Sequence, residues 1–298
     1  EKFMHKGDSN LITRQYFESL LIEMRHIDGI LPDTKVNFFG KEFSTPVATA
    51  ALSHLNTQCT DGMKKFAEGA FLSNALCFSG MAEKDELKAM CSTGAKVVKI
   101  IKPHADNNLV FQKIKEAEDA GCFAIGMDID HAFNSNGEYD VVTGFPMKPK
   151  SFEELNAYIL FSNLPFIVKG VLSQTDAEKA LQAGAQGIVV SHHHGIMKYA
   201  VPPIMILPEI IKSTKGKMTV FVDCCIETGM DAFKCLALGA DGICVGRALM
   251  EPLKNFGATG VSSTINSITD ELKGVMAKTG FKNTKQIESS VIHRVHLI

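Results

Sequence analysis

The sequence predicts a (β/α)₈ barrel, and three observations support that prediction. Eight short apolar segments recur along the 298 residues without the alternation of a half-exposed strand, as expected for parallel strands covered by helices. Helical segments separate these strands. Several helices end in Ala-Gly or Leu-Gly just before the next apolar segment, where glycine readily adopts the left-handed conformation that closes a helix.

The strands are predicted at residues 47–51, 75–79, 97–101, 124–128, 166–169, 187–191, 219–223 and 242–245. Four of the intervening helices are predicted at residues 60–68, 111–120, 176–183 and 229–238. Eight strands that alternate with helices indicate a closed α/β barrel. A doubly wound sheet is the alternative, but it usually has fewer strands and an early glycine-rich turn, and no GxGxxG motif or phosphate-binding loop occurs.

Two further helices are predicted outside the barrel repeat, at residues 11–24 and 264–277. Both carry apolar residues at helical spacing. Ser9 or Asn10 is the expected N-cap of the first helix. With no linker or low-complexity segment in between, residues 1–298 are interpreted as a single domain.

Composition excludes several classes of protein. The net charge of −2 argues against a strongly basic nucleic-acid binder, and 45% apolar residues argue against disorder. No apolar run reaches the ~18 residues of a membrane span, and the first residues lack the apolar core of a signal peptide. The eight cysteines show no CxxC or zinc-type spacing. We therefore expect a cytoplasmic protein with reduced thiols and no nucleic-acid, membrane or metal partner.

The carboxyl ends of the predicted strands are rich in ionisable and small polar residues. Barrel enzymes place their active sites at these ends. Charged groups are costly to bury, so their presence beside apolar strands indicates a functional site, with a structural salt-bridge network as the alternative. The residues in question are Ser79, Lys99, Asp128, Asp130, Lys169, Ser191, Asp223, Gly246 and Arg247.

Three of these positions are the most informative. Lys169 ends an apolar strand, either in a structural ion pair or facing an anionic ligand. Gly246-Arg247 follows the last strand, where such barrels commonly bind phosphate. The run from His192 to His194 follows the sixth strand. Alternation in an extended strand would put His193 opposite its two neighbours, which disfavours a tri-histidine metal site.

At these residues the sequence resembles the FMN-dependent 2-hydroxy acid oxidase and dehydrogenase family, which includes glycolate oxidase and lactate oxidase. The resemblance covers nearly the whole chain. It is carried by the segments FSTPVATAALS, AGCFAIGMDID, PFIVKGV, GIVVSHHHG, LPEII and DAFKCLALGADGICVGRAL. Membership would imply a small-molecule substrate, one FMN per chain and a homo-oligomer, a tetramer in this family.

The resemblance also implies roles for individual residues. His193 would be the catalytic base and Asp130 its carboxylate partner, which is sensible chemistry because a carboxylate orients the imidazole and supports its charged form. Lys169 would stabilise the reduced flavin. The remaining cofactor contacts would come from Ala50, Ser79, Ser191, Asp223, Gly246 and Arg247, with Lys99 and Asp128 standing where the family has Gln and Thr.

The sequence departs from the family where the substrate carboxylate is held. Ile196 stands where the family has an Arg, and Ile101 and Phe3 stand where it has Tyr. A family Gly-Gly pair becomes Cys224-Cys225, and the lid segment looks shortened. An unpaired buried carboxylate is unfavourable. The substitutions therefore predict an altered pocket that favours uncharged or more apolar substrates, unless Lys99 or a lid residue supplies a substitute cation.

The leading hypothesis is thus an FMN-dependent oxidoreductase. Two alternatives remain open at this point. One is an FMN enzyme without net redox, an isomerase or lyase, in which Asp128 and Lys99 do acid–base work. The other is a non-catalytic barrel protein without turnover.

Overall fold

The computed structural model describes residues 6–214 and 216–295, and it confirms the barrel. Eight parallel strands close in sequence order, with β8 hydrogen-bonded to β1. Their bounds are Val47–Leu52 (β1), Cys77–Ser79 (β2), Val97–Ile101 (β3), Ala124–Asp128 (β4), Phe166–Val171 (β5), Gly187–Val190 (β6), Thr219–Val222 (β7) and Gly242–Val245 (β8).

A helix precedes the barrel and one follows each strand. Serine and threonine side chains cap several of them, as Ser173 and Thr228 do for the helices after β5 and β7. The bounds are Ser9–Glu18 (α1), Gly62–Leu72 (α2), Lys84–Cys91 (α3), Asn107–Asp119 (α4), Phe152–Phe161 (α5), Gln174–Gln182 (α6), Pro203–Thr214 (α7), Gly229–Ala237 (α8) and Met250–Thr279 (α9).

Strand alternation divides the core into two layers. One face of each strand packs against the surrounding helices, and the other fills the barrel interior. The amino-terminal end of the barrel is closed by an antiparallel hairpin, Val36–Phe38 with Lys41–Phe43. Its Phe38 ring lies 4.9 Å from the ring of Phe221 inside the barrel. With that end of the interior filled by aromatic rings, the barrel opens toward the carboxyl ends of the strands, where active sites of such barrels lie.

The first helix is shorter than predicted. Helix α1 ends at Glu18, and Leu20–Ile22 forms a short antiparallel strand with Ile292–Arg294. Its N-cap is Asp8, whose side chain accepts a hydrogen bond from the backbone of Asn10, rather than Ser9 or Asn10. Pairing with a segment some 270 residues away overrides the local helical pattern, which sequence periodicity cannot reveal.

The last helix is longer than predicted. Helix α9 includes the predicted residues 264–277 and begins directly after a 3₁₀ turn, Arg247–Leu249. Gly257, at a φ of 59°, interrupts its regular geometry. None of the helices within residues 6–214 and 216–295 is long and apolar enough to cross a membrane.

Candidate active site

The carboxyl ends of the strands surround a cavity of about 150 Å³ that is open to solvent. Residues from β1, β5, β8 and the loops after β6, β7 and β8 line it: Ala50, Ala51, Leu52, Lys169, His193, His194, Asp223, Cys224, Cys225, Ile226, Glu227, Cys244, Gly246, Arg247 and Ala248.

His193 lies at this cavity in a turn, not in an extended strand. Strand β6 ends at Val190, and both His193 and His194 have positive φ, 48° and 57°. The backbone N–H of His193 donates to Ser191 Oγ at 2.9 Å, which fixes the turn. The expectation of alternation along this segment is therefore wrong. The turn nevertheless separates the three imidazoles.

The side chain of His193 pairs with Asp130, which follows β4. Its Nδ1 lies 3.0 Å from both carboxylate oxygens of Asp130. A carboxylate at Nδ1 selects the tautomer with the proton on that nitrogen. His193 Nε2 then carries no proton, so its lone pair can accept a hydrogen bond or a proton.

His192 and His194 are engaged elsewhere. His192 is buried, accepts a hydrogen bond from the backbone N–H of Gly195 at Nδ1, and contacts Thr13 on α1 through Nε2 at 2.9 Å. His194 is exposed, and its Nδ1 lies 2.8 Å from Asn10 Oδ1. Both therefore join the loop after β6 to the amino-terminal helix.

A fourth histidine, His131, was not predicted. Its Nε2 lies 3.2 Å from His193 Nε2, and its Nδ1 lies 3.5 Å from Asp140. Burial, followed by the nearby ammonium of Lys102, lowers the pKa of His131, so the ring is neutral near pH 7. Asp130, His131 and His193 also have donor atoms close enough to hold a metal ion, but those atoms are already hydrogen-bonded to one another or to Asp140.

Beside this pair, one carboxylate lies between two lysines. Lys169 Nζ is 3.0 Å from Asp128 Oδ1, and Lys102 Nζ is 2.7 Å from Asp128 Oδ2. Burial raises the pKa of the Asp128 carboxyl, but the ammonium groups of Lys169 and Lys102 outweigh it and hold the net pKa well below its usual range. Asp128 is thus ionised; Lys102 donates a hydrogen bond to Oδ2, and the ammonium of Lys169 lies 3.0 Å from Oδ1 as an ion pair.

The opposite end of the cavity is formed by the loops after β7 and β8. Arg247 lies there with Asn10 Oδ1 at 3.4 Å from its guanidinium. Cys224 donates to Asp223 at 2.9 Å. Burial, followed by the Asp223 carboxylate, raises the pKa of the Cys224 thiol well above its usual range. This thiol therefore stays protonated, and Glu227 adds a negative charge to the cavity wall.

Three predicted site residues lie on the outer layer of the barrel. Lys99 donates from Nζ to the carbonyl oxygens of Gly80 and Ala82, at 2.6 and 3.1 Å. Ser79 Oγ lies 3.5 Å from Met90 Sδ of α3. Ile101 belongs to the apolar layer between strands and helices.

The alternation of β3 explains these placements. Val98 and Ile100 face the barrel interior, so the next side chain on that face belongs to Lys102. A shift of one residue reverses the face of every side chain in a strand. The placement favours an alignment in which Lys102, not Ile101, stands where the family has Tyr. Taking every second residue onward from Val98 and Ile100 would have identified Lys102 as the next inward-facing side chain.

The other two predicted pocket residues are less informative. Ile196 is 44% exposed on the loop after β6 and is not part of the cavity wall. Phe3 lies outside the described residues.

The chain is similar to known flavin-dependent proteins along most of its length. A family model described as FMN-dependent dehydrogenase matches residues 5–161 and 151–294. The chain belongs to the FMN-dependent dehydrogenase family. Glycolate oxidase from Spinacia oleracea is 28% identical over 94% of this chain and 86% of its own length. L-lactate oxidase from Lactobacillus jensenii is 27% identical over 97% and 78%.

Solved structures of similar proteins have the same fold as this chain. A mandelate oxidase mutant with a monooxide FMN adduct superposes with a TM-score of 0.87 at 26% identity, covering 97% of this chain and 92% of its own. Membership makes this chain an FMN-dependent oxidoreductase. The cavity fits the cofactor, because Lys169 and Arg247 place a cation at either end. Gly246 keeps the wall open, since an added Cβ would lie 3.3 Å from that of Ala50.

Proposed function

We propose that this chain oxidises a 2-hydroxy compound, with His193 as the base that removes the hydroxyl proton. The observation that carries the proposal is the His193–Asp130 pair, whose Nδ1–carboxylate distances are both 3.0 Å. This pair adjoins Lys169 at the edge of the cofactor cavity. A base, its orienting carboxylate and a fixed cation are the groups that such an oxidation requires.

Each of these side chains has a separate task. Asp130 holds the proton on His193 Nδ1 and stabilises the imidazolium after Nε2 has taken the substrate proton. FMN, when bound, supplies the acceptor for a hydride equivalent. Burial would lower the pKa of Lys169, but the carboxylates of Asp128, Asp223 and Asp130 raise it overall. Lys169 therefore remains a cation that can stabilise negative charge beside it.

The predicted cofactor residues on the cavity wall would hold the rest of the FMN, whereas Ser79 and Lys99 face the outer layer. Arg247 is the candidate partner of the phosphate, as a guanidinium makes charge-assisted contacts with it. Asp223 and Gly246 would border the ribityl chain, Ala50 the ring, and Ser191 acts through the turn that carries His193. We further propose that the protein acts in the cytoplasm, where its dispersed cysteines would stay reduced, and that it forms a homo-oligomer, as the family resemblance implies.

The substrate side differs from the rest of the family. Ile196 supplies no charge, so the pocket lacks the Arg that its sequence position would provide. The alternative without net redox required Asp128 and Lys99 to act together in the site. Lys99 faces the outer layer, so it is not available for that chemistry. Oxidation therefore remains the function that the site supports best.

Anaerobic reduction of the bound flavin tests this proposal. Purified protein with FMN is mixed without oxygen with glycolate, lactate, mandelate and the amide of mandelate, while the visible flavin bands are followed. Bleaching that yields the 2-oxo product, and that is lost in His193→Gln, is the expected result. A holoprotein that none of these compounds reduces would contradict the proposal.

A further inference from the structure

We propose that Cys91 and Cys122 form an oxidant-sensitive dithiol, which a peroxide converts into an intramolecular disulfide. Both cysteines lie in the layer between the strands and the helices of the barrel. Cys91 is the last residue of α3, and Cys122 lies between α4 and β4. Neither residue lines the cofactor cavity. The dithiol is therefore a site apart from the proposed oxidation and does not depend on it.

The two thiols are already in contact. Cys91 Sγ lies 3.8 Å from Cys122 Sγ, and the sulfurs of a disulfide are about 2.05 Å apart. An approach of about 1.8 Å is therefore enough to form the bond. All eight cysteines lie within residues 6–214 and 216–295, and in that part of the chain these two form the one sulfur–sulfur contact.

The backbone around the pair has room for that approach. Cys122 follows Gly121, which has a φ of +83° and no atom of the described residues within 4 Å of an added Cβ. Cys122 belongs to neither α4 nor β4, and Cys91 stands at the end of its helix. Rotation of the two side chains with a small backbone shift can therefore close the distance without disrupting a helix or a strand.

The adjacent cysteines after β7 are a poorer pair, although they are neighbours in the sequence. Cys224 Sγ donates to Asp223 Oδ1 at 2.9 Å, whereas Cys225 Sγ donates to the backbone oxygen of Asn10 at 3.5 Å. A bond between these two sulfurs would require both contacts to break. Contact between sulfurs, and not spacing in the sequence, therefore singles out Cys91 and Cys122.

Cys91 is the thiol that meets the oxidant. It is half-buried, whereas Cys122 is 5% exposed. The hydrogen bond from the Cys122 thiol outweighs burial and lowers the pKa of the Cys91 thiol. The same hydrogen bond, followed by burial, raises the pKa of Cys122. Because the thiolate is the form that reacts, Cys91 is the nucleophile and Cys122 is the resolving thiol.

The reaction consumes one peroxide and two thiols. With hydrogen peroxide, the Cys91 thiolate attacks one oxygen, the S–O bond forms as the O–O bond breaks, and hydroxide leaves to give a sulfenic acid. The Cys122 sulfur then attacks Cys91 Sγ, the S–S bond forms as the S–O bond breaks, and water leaves with the proton of the Cys122 thiol. The cysteines lose two electrons and the peroxide gains them. In a reducing compartment the resting form is the dithiol, and the disulfide is transient.

Mapping of the oxidised cysteines in the FMN-loaded protein tests the dithiol. The wild type, Cys91→Ser, Cys122→Ser and Cys59→Ser are treated with hydrogen peroxide, with and without dimedone, and are alkylated after denaturation. Intact mass counts the free thiols, and peptide mass spectrometry without reductant locates the bond. Cys59 is the matched control, because it is also half-buried but its sulfur contacts no other cysteine in the described part of the chain.

We expect the wild type and Cys59→Ser to lose about 2 Da and two alkylatable thiols, with the bond mapped between residues 91 and 122 and reversed by dithiothreitol. Cys122→Ser should stop at a dimedone adduct of Cys91, because the resolving thiol is gone. Cys91→Ser should keep Cys122 free, because Cys122 is buried and stays protonated.

Three results would overturn the dithiol. The first is an oxidised wild type in which these two thiols stay free, pair with other cysteines or bond between two chains. The second is equal dimedone labelling of Cys91 in the wild type and Cys122→Ser, since Cys122 would then resolve nothing. The third is oxidation of Cys122 in Cys91→Ser at the rate of the wild type.

Discussion

The two sides of the barrel mouth differ in how well their functional residues can be predicted from the sequence. On the cofactor side, Lys169 lies near the end of β5, Asp223 follows β7 directly and Arg247 lies just after β8, and all three line the cavity. On the substrate side, Lys102 and His131 come from segments just after β3 and β4. The sequence analysis missed Lys102 because it assigned the inward-facing position to Ile101, one residue earlier. Strand ends are thus readable from sequence, whereas the residues just beyond them depend on which face the strand presents.

The largest loss of rate is expected when His193 is replaced, and not when its neighbours His192 and His194 are. Replacing a general base costs about 10²–10⁴-fold in rate, so we expect a loss of this size for His193→Gln. His192→Gln and His194→Gln should lose less than about tenfold, since these rings contact Thr13 and Asn10 and not Asp130. Rates of anaerobic flavin reduction measure all three. Equal losses would show that the assignment of the base is wrong.

The second prediction concerns the link between the two sides. Gly170 on β5 has a φ of +88°, and an added Cβ would collide with the carboxylate of Asp130. Gly170→Ala should therefore displace Asp130 from His193 and lower the rate of flavin reduction about tenfold, with FMN still bound.

Gly121→Ala is the matched control for that variant. Gly121 has a similar φ of +83°, but no atom lies within 4 Å of the added Cβ. Both variants carry the left-handed strain of about 1–2 kcal/mol. If both lose stability and neither loses activity, Asp130 is not held in place by the space at Gly170.

Much of the site could be predicted because its residues occupy fixed positions in a regular fold. His193, Asp130 and Lys169 follow from the carboxyl-terminal parts of strands β4 to β6, and the structure places Asp130 at 3.0 Å and Lys169 Nζ at 3.3 Å from His193 Nδ1. The positive φ of His193 could not be read from the sequence, because histidine has no strong preference for that conformation. The His131–His193 contact could not be read either, since it joins positions 62 residues apart in two irregular loops.

The smallest effect on the cofactor is expected at Lys99, whose side chain points to the outer layer although its neighbour on β3 faces inward. Its ammonium donates to two backbone carbonyls, at 2.6 and 3.1 Å, and to nothing in the cavity. We expect Lys99→Met to change the dissociation constant for FMN by less than about threefold, well below the tenfold of a lost charged contact. A large increase in the dissociation constant for FMN would show that Lys99 does contribute to the cofactor site.

Stability against pH gives Lys99 a second, independent signature. Burial, the largest cause, lowers its pKa to about 8, while the unfolded chain retains a lysine pKa of about 10.4. Between these values the unfolded state binds more protons, so this residue makes the folded protein more stable as the pH rises. The difference in unfolding free energy between wild type and Lys99→Met should therefore be constant below pH ~8 and grow in favour of the wild type toward pH ~10. A difference that stays flat across this range in denaturant titrations would show that Lys99 keeps an ordinary pKa, as a solvated lysine would.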